Sequence, residues 1–235
     1  MAQRAVSRRL GKINWMFFRL RAVKAALYSR KIGGNLLTNR WKNERRCVAM
    51  SNNQIINGVN VTQLVSTIEL IKEKPEIADF KFRATNKWVG GTHNRANVKD
   101  FYGAGAQDDS RATMTFEIDE PPVLLGENHG ANPVEYLLVG LSGCLTTSMI
   151  AHAAARGIQI RAVESRLEGD LDLHGFLGLS ESAPVGYKEI RVSFKIDADL
   201  SPEEKQELIE MAKKYSPVFN TVAKPVPVKV SLAKE

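Results

Sequence analysis

The chain has 235 residues, 43% of them hydrophobic, and its 33 Lys+Arg against 26 Asp+Glu give a formal charge of +7. That size allows one large domain or two small ones. Two cysteines are no disulfide framework, and four histidines with two distant cysteines give no zinc spacing, so neither a metal nor a cofactor is expected.

In chain order the basic leader comes first. Residues 1–49 carry 13 Lys+Arg and a single acid, Glu44, for a segment charge of +12, which leaves −5 on residues 50–235. An acidic domain is a poor nucleic-acid binder, so no nucleic-acid partner is expected. The leader has three readings. It resembles a mitochondrial transit peptide, being Arg-rich with Trp15, Phe17, Phe18 and Leu20 interleaved. It also fits a basic arm for a membrane surface or nucleic acid. The reading adopted is a start codon placed too early. Met50 opens a bacterial-type N-terminus, and Arg45-Arg46, if encoded AGG-AGG, form a ribosome-binding site just upstream of it. On that reading residues 1–49, taken as disordered, and with them Cys47, are not part of the mature protein. The domain is then cytoplasmic, or mitochondrial only if the leader is a genuine transit peptide.

Residues 60–79 read as a helical extension. Thr62 is a candidate cap for a helix to about Lys74, and Pro75 ends it or starts a short turn. Residues 80–89 alternate apolar and polar and predict one half-buried strand, turned by Gly90-Gly91. A return strand over 97–102 and another over 111–118 follow. Asp119-Glu-Pro-Pro122 breaks the pattern, and 126–130 is a polar loop. The longest helix candidate runs from Asn132 to Arg156 with Pro133 at its first position. It is apolar on nearly every side and is expected to be buried all round. No apolar run reaches the roughly 18 residues of a membrane span, so no membrane partner is expected. Strands over 158–173 and 187–196 flank a loop at 174–186. Ser201-Pro-Glu-Glu204 is a capping box opening a helix to about Tyr215, and alternation over 226–232 predicts a closing edge strand. Hairpin-like pairs outnumber βαβ repeats, so the fold class is α+β with antiparallel sheets.

Chemistry concentrates on Cys144, the one thiol of residues 50–235. At about 100° per residue, Leu137, Gly140, Leu141, Cys144, Thr147, Ser148 and Ala151 share one side of the long helix. Gly140 and Gly143 each cost a helix about 1 kcal/mol against Ala, which predicts a close neighbour, whether helix, second subunit or ligand. A reactive thiol needs a cation nearby, and Cys144 lies too far from the helix N-terminus to use the dipole. A lone buried Cys is otherwise an inert small hydrophobe.

Asn132-Pro-Val-Glu-Tyr-Leu-Leu followed by Leu141-Ser-Gly-Cys-Leu, together with the later Lys-Tyr-Ser216-Pro217-Val-Phe and Val222-Ala-Lys-Pro-Val-Pro-Val, resembles the OsmC/Ohr proteins (osmotically inducible protein C and the organic hydroperoxide resistance proteins) over roughly residues 80–233. The resemblance implies an intertwined homodimer whose β-sheets enclose a long central helix. It also implies a thiol peroxidase of the oxidative-stress response. In such an enzyme a first cysteine is oxidised by an organic hydroperoxide, a second resolves it, and an Arg and a Glu set the thiolate.

Residue by residue, Cys144 matches the peroxidatic cysteine. Ser216 stands where the resolving cysteine would be, and Val134 where the catalytic Glu would be. Glu135 matches a neighbouring, structural Glu. The segment 120–126 holds no arginine, which leaves His93, Arg95 and Arg111 as candidate activators. The chain reads as a single-cysteine member. Three functions stay open: a one-cysteine peroxidase served by an external thiol, a homodimer binding or sensing a small apolar molecule, and a structural dimer with an inert thiol.

Overall fold

The computed structural model describes residues 53–233; the readings of residues 1–49 lie outside them. The N-terminal part opens with a small hairpin, β1 (Ile55–Ile56) and β2 (Val59–Asn60), turned by Asn57 and Gly58, both in the left-handed region. Helix α1 (Val61–Glu73) follows at once. Its N-cap is Asn60, whose side chain accepts from the Gln63 N–H at 2.9 Å, so the cap lies two residues before the Thr62 expected. Pro75 does start a short 3-10 turn, Pro75–Ala78.

The predicted strand over 80–89 is two strands in two sheets. β3 (Lys81–Phe82) pairs with β6 (Phe101–Gly103), which pairs with β7 (Ala106–Asp108). β4 (Thr85–Gly90) pairs with β5 (His93–Val98), which pairs with β8 (Met114–Ile118). All pairs are antiparallel. The period of two runs through the break between Phe82 and Thr85, so alternation alone does not reveal it.

Helix α2 (Pro133–Ala154) has the expected start. Asn132 accepts from the Glu135 N–H at 2.8 Å, and Glu135 accepts from the Asn132 N–H at 2.9 Å. This closes a capping box with Pro133 in the first turn. Beyond α2 come β9 (Ala162–Asp170), the short α3 (Leu173–Phe176), β10 (Glu189–Asp197), α4 (Pro202–Tyr215) and α5 (Pro217–Ala223). β9 and β10 form a nine-pair antiparallel ladder. Its register sets Val163, Leu167, Val192 and Ile196 toward α2, and puts Glu164, Glu168, Arg191 and Lys195 in ion pairs on the other side.

The core forms where Leu141, Leu145, Met149 and Ala153 of α2 meet Ile196, Leu208 and Ala212. Helix α2 is therefore buried along one stripe, and the expectation of burial all round is corrected. Gly140, Gly143 and Thr147 are exposed, and among the described residues nothing beyond the helix's own neighbouring backbone lies within 4 Å of where a Cβ on either glycine would stand. The expectation that no stretch is long enough to span a membrane also needs correction. α2 meets that requirement by length and mean hydropathy, 1.5 over 18 residues. Its buried stripe nevertheless packs as the core helix of this domain. Residues 226–232 form no strand. Val228, Val230 and Leu232 are 79–95% exposed, Pro225 and Pro227 supply no N–H, and among the described residues no strand pairs with them.

Candidate functional site

Cys144 sits in the middle of α2, half-buried, a free thiol. It lies at the margin between the buried stripe and the open side of the helix, because Leu141 and Leu145 point into the core while Gly140, Gly143 and Thr147 do not. One turn on, the Ser148 hydroxyl donates to the Tyr215 carbonyl at 3.5 Å, at the C-terminus of α4. The next residue is Ser216, fully buried, whose Oγ accepts from the Phe219 N–H at 3.1 Å and caps α5 ahead of Pro217. The structure thus brings the Cys144 turn and the Ser216 segment together, and gives Ser216 a capping role. Glu135 is likewise the cap partner of Asn132. Val134 offers its carbonyl to the Tyr187 hydroxyl at 3.0 Å.

An apolar groove of about 400 Å³ runs along the same side of α2. Leu137, Leu141, Val192, Phe219 and Val222 line it, and Tyr187 stands among its polar lining residues. Leu141 is three residues from Cys144, so the groove reaches to within one helical turn of the thiol.

The three candidate activators lie elsewhere in the chain. Arg111 donates its Nε–H to the Lys99 carbonyl and stacks its guanidinium over Phe101 at 5.2 Å. His93 Nε2 and Arg95 Nε both engage the Glu117 carboxylate at 2.7 Å. The Arg95 bond, followed by that from His93, holds the Glu117 carboxyl below its ordinary pKa. The Tyr136 hydroxyl donates to the Glu117 carbonyl at 2.8 Å, which fixes this cluster beside the first turns of α2. Tyr136 is eight residues before Cys144, about 12 Å along the helix axis. Within one chain His93 and Arg95 therefore stand well away from the sulfur.

A second cluster adjoins the first and was not singled out from sequence. Asp119, 2% exposed, accepts from Thr92 Oγ1 at 2.6 Å, His129 Nδ1 at 2.8 Å, and the N–H groups of Glu120, Glu127 and His129. The Thr92 bond, then the His129 bond, push its carboxyl far below the usual range against the opposing effect of burial. The His129 ring stacks on that of His93, with centroids 4.3 Å apart and planes 4° from parallel. Both rings line a cavity of about 290 Å³. Among the described residues no three His, Cys, Asp or Glu are grouped to hold a metal ion. The sequence signal for this cluster was slight: an Asp at a strand end, ten residues before a His in a polar loop.

Solved structures similar to this chain include an OsmC-like protein from Mycoplasma pneumoniae. It is 20% identical, with 62% of this chain and 89% of that one covered and a TM-score of 0.48. Organic hydroperoxide resistance proteins from Elizabethkingia anophelis (22% identical, 62% and 89% covered, TM-score 0.44) and Legionella pneumophila (18%, 60% and 88%, 0.44) are also similar. No curated protein matches the chain. The family model described as OsmC-like protein matches residues 126–231, a stretch that takes in the capped α2 helix, Cys144, Ser216 and the groove between them. Over residues 126–231, a little under half of its length, the chain is similar to the OsmC-like family.

Proposed function

We propose that the protein is a one-cysteine thiol peroxidase acting on organic hydroperoxides, working as a homodimer in which each subunit completes the thiol site of the other. The observation that carries this reading is the open side of α2. Among the described residues nothing packs over Gly140 and Gly143 beside a half-buried thiol, and Leu137 is 38% and Val139 60% exposed. Glycine at a helix surface permits close backbone approach. Crossing a second α2 antiparallel at Gly140 opposes the two helix dipoles. About a two-fold axis there, residue 144 of one helix faces residue 136 of the other. Tyr136 of the partner subunit then brings its Glu117 cluster, with His93 and Arg95, toward Cys144. The activating side chains that a single chain keeps away from the sulfur are supplied across the pair.

The chemistry follows from that arrangement. The Cys144 proton passes to a basic group of the cluster, and the thiolate attacks the outer oxygen of the hydroperoxide. The O–O bond breaks, the alcohol leaves with a proton, and Cys144 becomes a sulfenic acid. Ser216 forms no disulfide, so an external thiol condenses with the sulfenic acid and releases water. A second thiol equivalent then displaces the mixed disulfide and restores Cys144. The apolar groove ending one turn from the sulfur favours hydroperoxides with a hydrocarbon body over hydrogen peroxide.

The test is consumption of cumene hydroperoxide by the purified protein with a small dithiol as reductant, beside dimedone labelling of the sulfenic acid. Turnover and labelling that both vanish in Cys144→Ser are expected. Absence of both in the wild-type dimer overturns the peroxidase reading. A second reading, a dimer that holds a small apolar molecule without turnover, rests on the same groove. An apolar molecule retained through purification, with no peroxide consumed, would favour it.

A further inference from the structure

We propose that His129 is a positioning residue, fixing the ring plane and the tautomer of His93 so that His93 Nδ1 is the atom that takes the thiol proton. The proposal rests on the peroxidase reading for its purpose, and on the geometry of the two rings for its substance.

Both imidazoles are tied to carboxylates, which only accept hydrogen bonds when ionised. Glu117 and Asp119 are both held below the ordinary carboxylate pKa by their donors. Each ring therefore presents its N–H to its carboxylate: Nε2–H of His93 to Glu117 at 2.7 Å, Nδ1–H of His129 to Asp119 at 2.8 Å. This leaves Nδ1 of His93 and Nε2 of His129 as the lone-pair atoms. A single bond to Glu117 lets the His93 ring swing about that contact. The His129 face, parallel and 4.3 Å away, removes the freedom.

His129 is in turn held by more than a side-chain bond. Its own N–H and that of Glu127 both donate to Asp119 Oδ2, so the loop that presents the ring hangs on one buried carboxylate. The loop follows a path with Leu125 at φ 67° and Asn128 at φ 58°, left-handed conformations that cost non-glycine residues energy and persist only where surroundings enforce them. The charged and titratable groups facing the ring pair are Glu117 and Arg95 on the sheet, Asp119 at its end, and Glu127, whose Oε2 is 3.6 Å from His129 Nε2. The proton step balances simply: the Cys144 S–H bond breaks, an Nδ1–H bond forms on His93, and the imidazolium keeps its Nε2–H on Glu117.

Two variants and two readouts test this in the full chain. Nitrogen-detected NMR of the histidine rings reports the His93 tautomer, and iodoacetamide alkylation at about pH 6, below the range where an ordinary thiol reacts, reports thiolate formation. The wild type and His129→Phe, which keeps a flat ring, show one Nε2–H tautomer of His93 and rapid alkylation. His129→Gln mixes the His93 tautomers and slows alkylation about tenfold, the equivalent of one pKa unit. An unchanged His93 tautomer in His129→Gln overturns the positioning role, whatever the thiol does. A tautomer that responds while alkylation does not leaves the positioning role standing and removes its link to Cys144.

Discussion

At the scale of single residues, Ser216 and Asp119 show how much one polar atom can organise. Ser216 occupies a position where the family resemblance leads one to expect a thiol, and its oxygen is fully buried and spent on capping α5. Ser216→Ala should cost about 1 kcal/mol, the usual value of a lost N-cap, and leave any peroxide turnover in place. Thermal melts beside the peroxidase assay check both parts. Asp119 gathers five donors from three segments. Its carboxyl releases its proton far more readily when folded than when unfolded. The stability it contributes is therefore complete above about pH 4, the unfolded value, and is lost as pH falls toward the depressed folded value. Asp119→Asn should lower the melting temperature at neutral pH, with the gap to wild type closing in acid. A gap that widens in acid would contradict the assignment. The capping box of Ser201 and Glu204 was legible in sequence because cap and partner are three residues apart. The Asp119–His129–His93 association was not, since it depends on a loop folding back onto a strand 26 residues upstream of Asp119.

Among the elements, α2 repays most attention. Its start, its proline and its end agree with the sequence pattern to within a residue or two. Its environment was misjudged because near-uniform apolarity says how greasy a helix is, not how many neighbours the same chain provides. The stripe from Leu141 to Ala153 is buried and the Gly140–Gly143 side is open. Leu145→Ala, at 2% exposure within that stripe, should destabilise the domain by about 3 kcal/mol through lost burial and the cavity left behind. Denaturant titration measures it. The strands tell a similar story. β9 and β10 fall on the two strand regions expected over 158–173 and 187–196, whereas the division of 80–89 between two sheets is decided by which partner strands reach each half. Residues 226–232 have the composition of a strand, but a strand exists only when another edge accepts its hydrogen bonds.

For the whole molecule, many exposed apolar groups point the same way. Phe82, Trp88 and Val139 are 60–72% exposed, and Val230 and Leu232 more than 90%. Such surface on a folded chain marks interaction sites, and a second copy is the occupant the proposed function calls for. Gly140→Leu gives a sharp expectation. None of the described residues obstructs a side chain there, so the subunit should fold, while a neighbouring helix would be pushed away. Sedimentation should show monomers and the peroxidase assay a lost activity. A Gly140→Leu protein that remains dimeric and active would remove Gly140 from the crossing point. The proposed association should also make the melting temperature of the wild type rise with concentration, a dependence the variant should lack.

Asn57 carries a consequence for how the N-terminal hairpin is held. Its side-chain amide donates to the Ile158 carbonyl at 2.9 Å and accepts from the Ile160 N–H at 2.8 Å, imitating the paired bonds of a strand neighbour across about a hundred residues of sequence. The Ile160 amide is thus shielded by a side chain rather than by a ladder. Its deuterium uptake should track undocking of the hairpin alone, so that Asn57→Ala accelerates exchange at Ile160 while the amides of the β9–β10 ladder keep their protection. One backbone proton would then serve as a gauge of whether the hairpin is latched to the body of the domain.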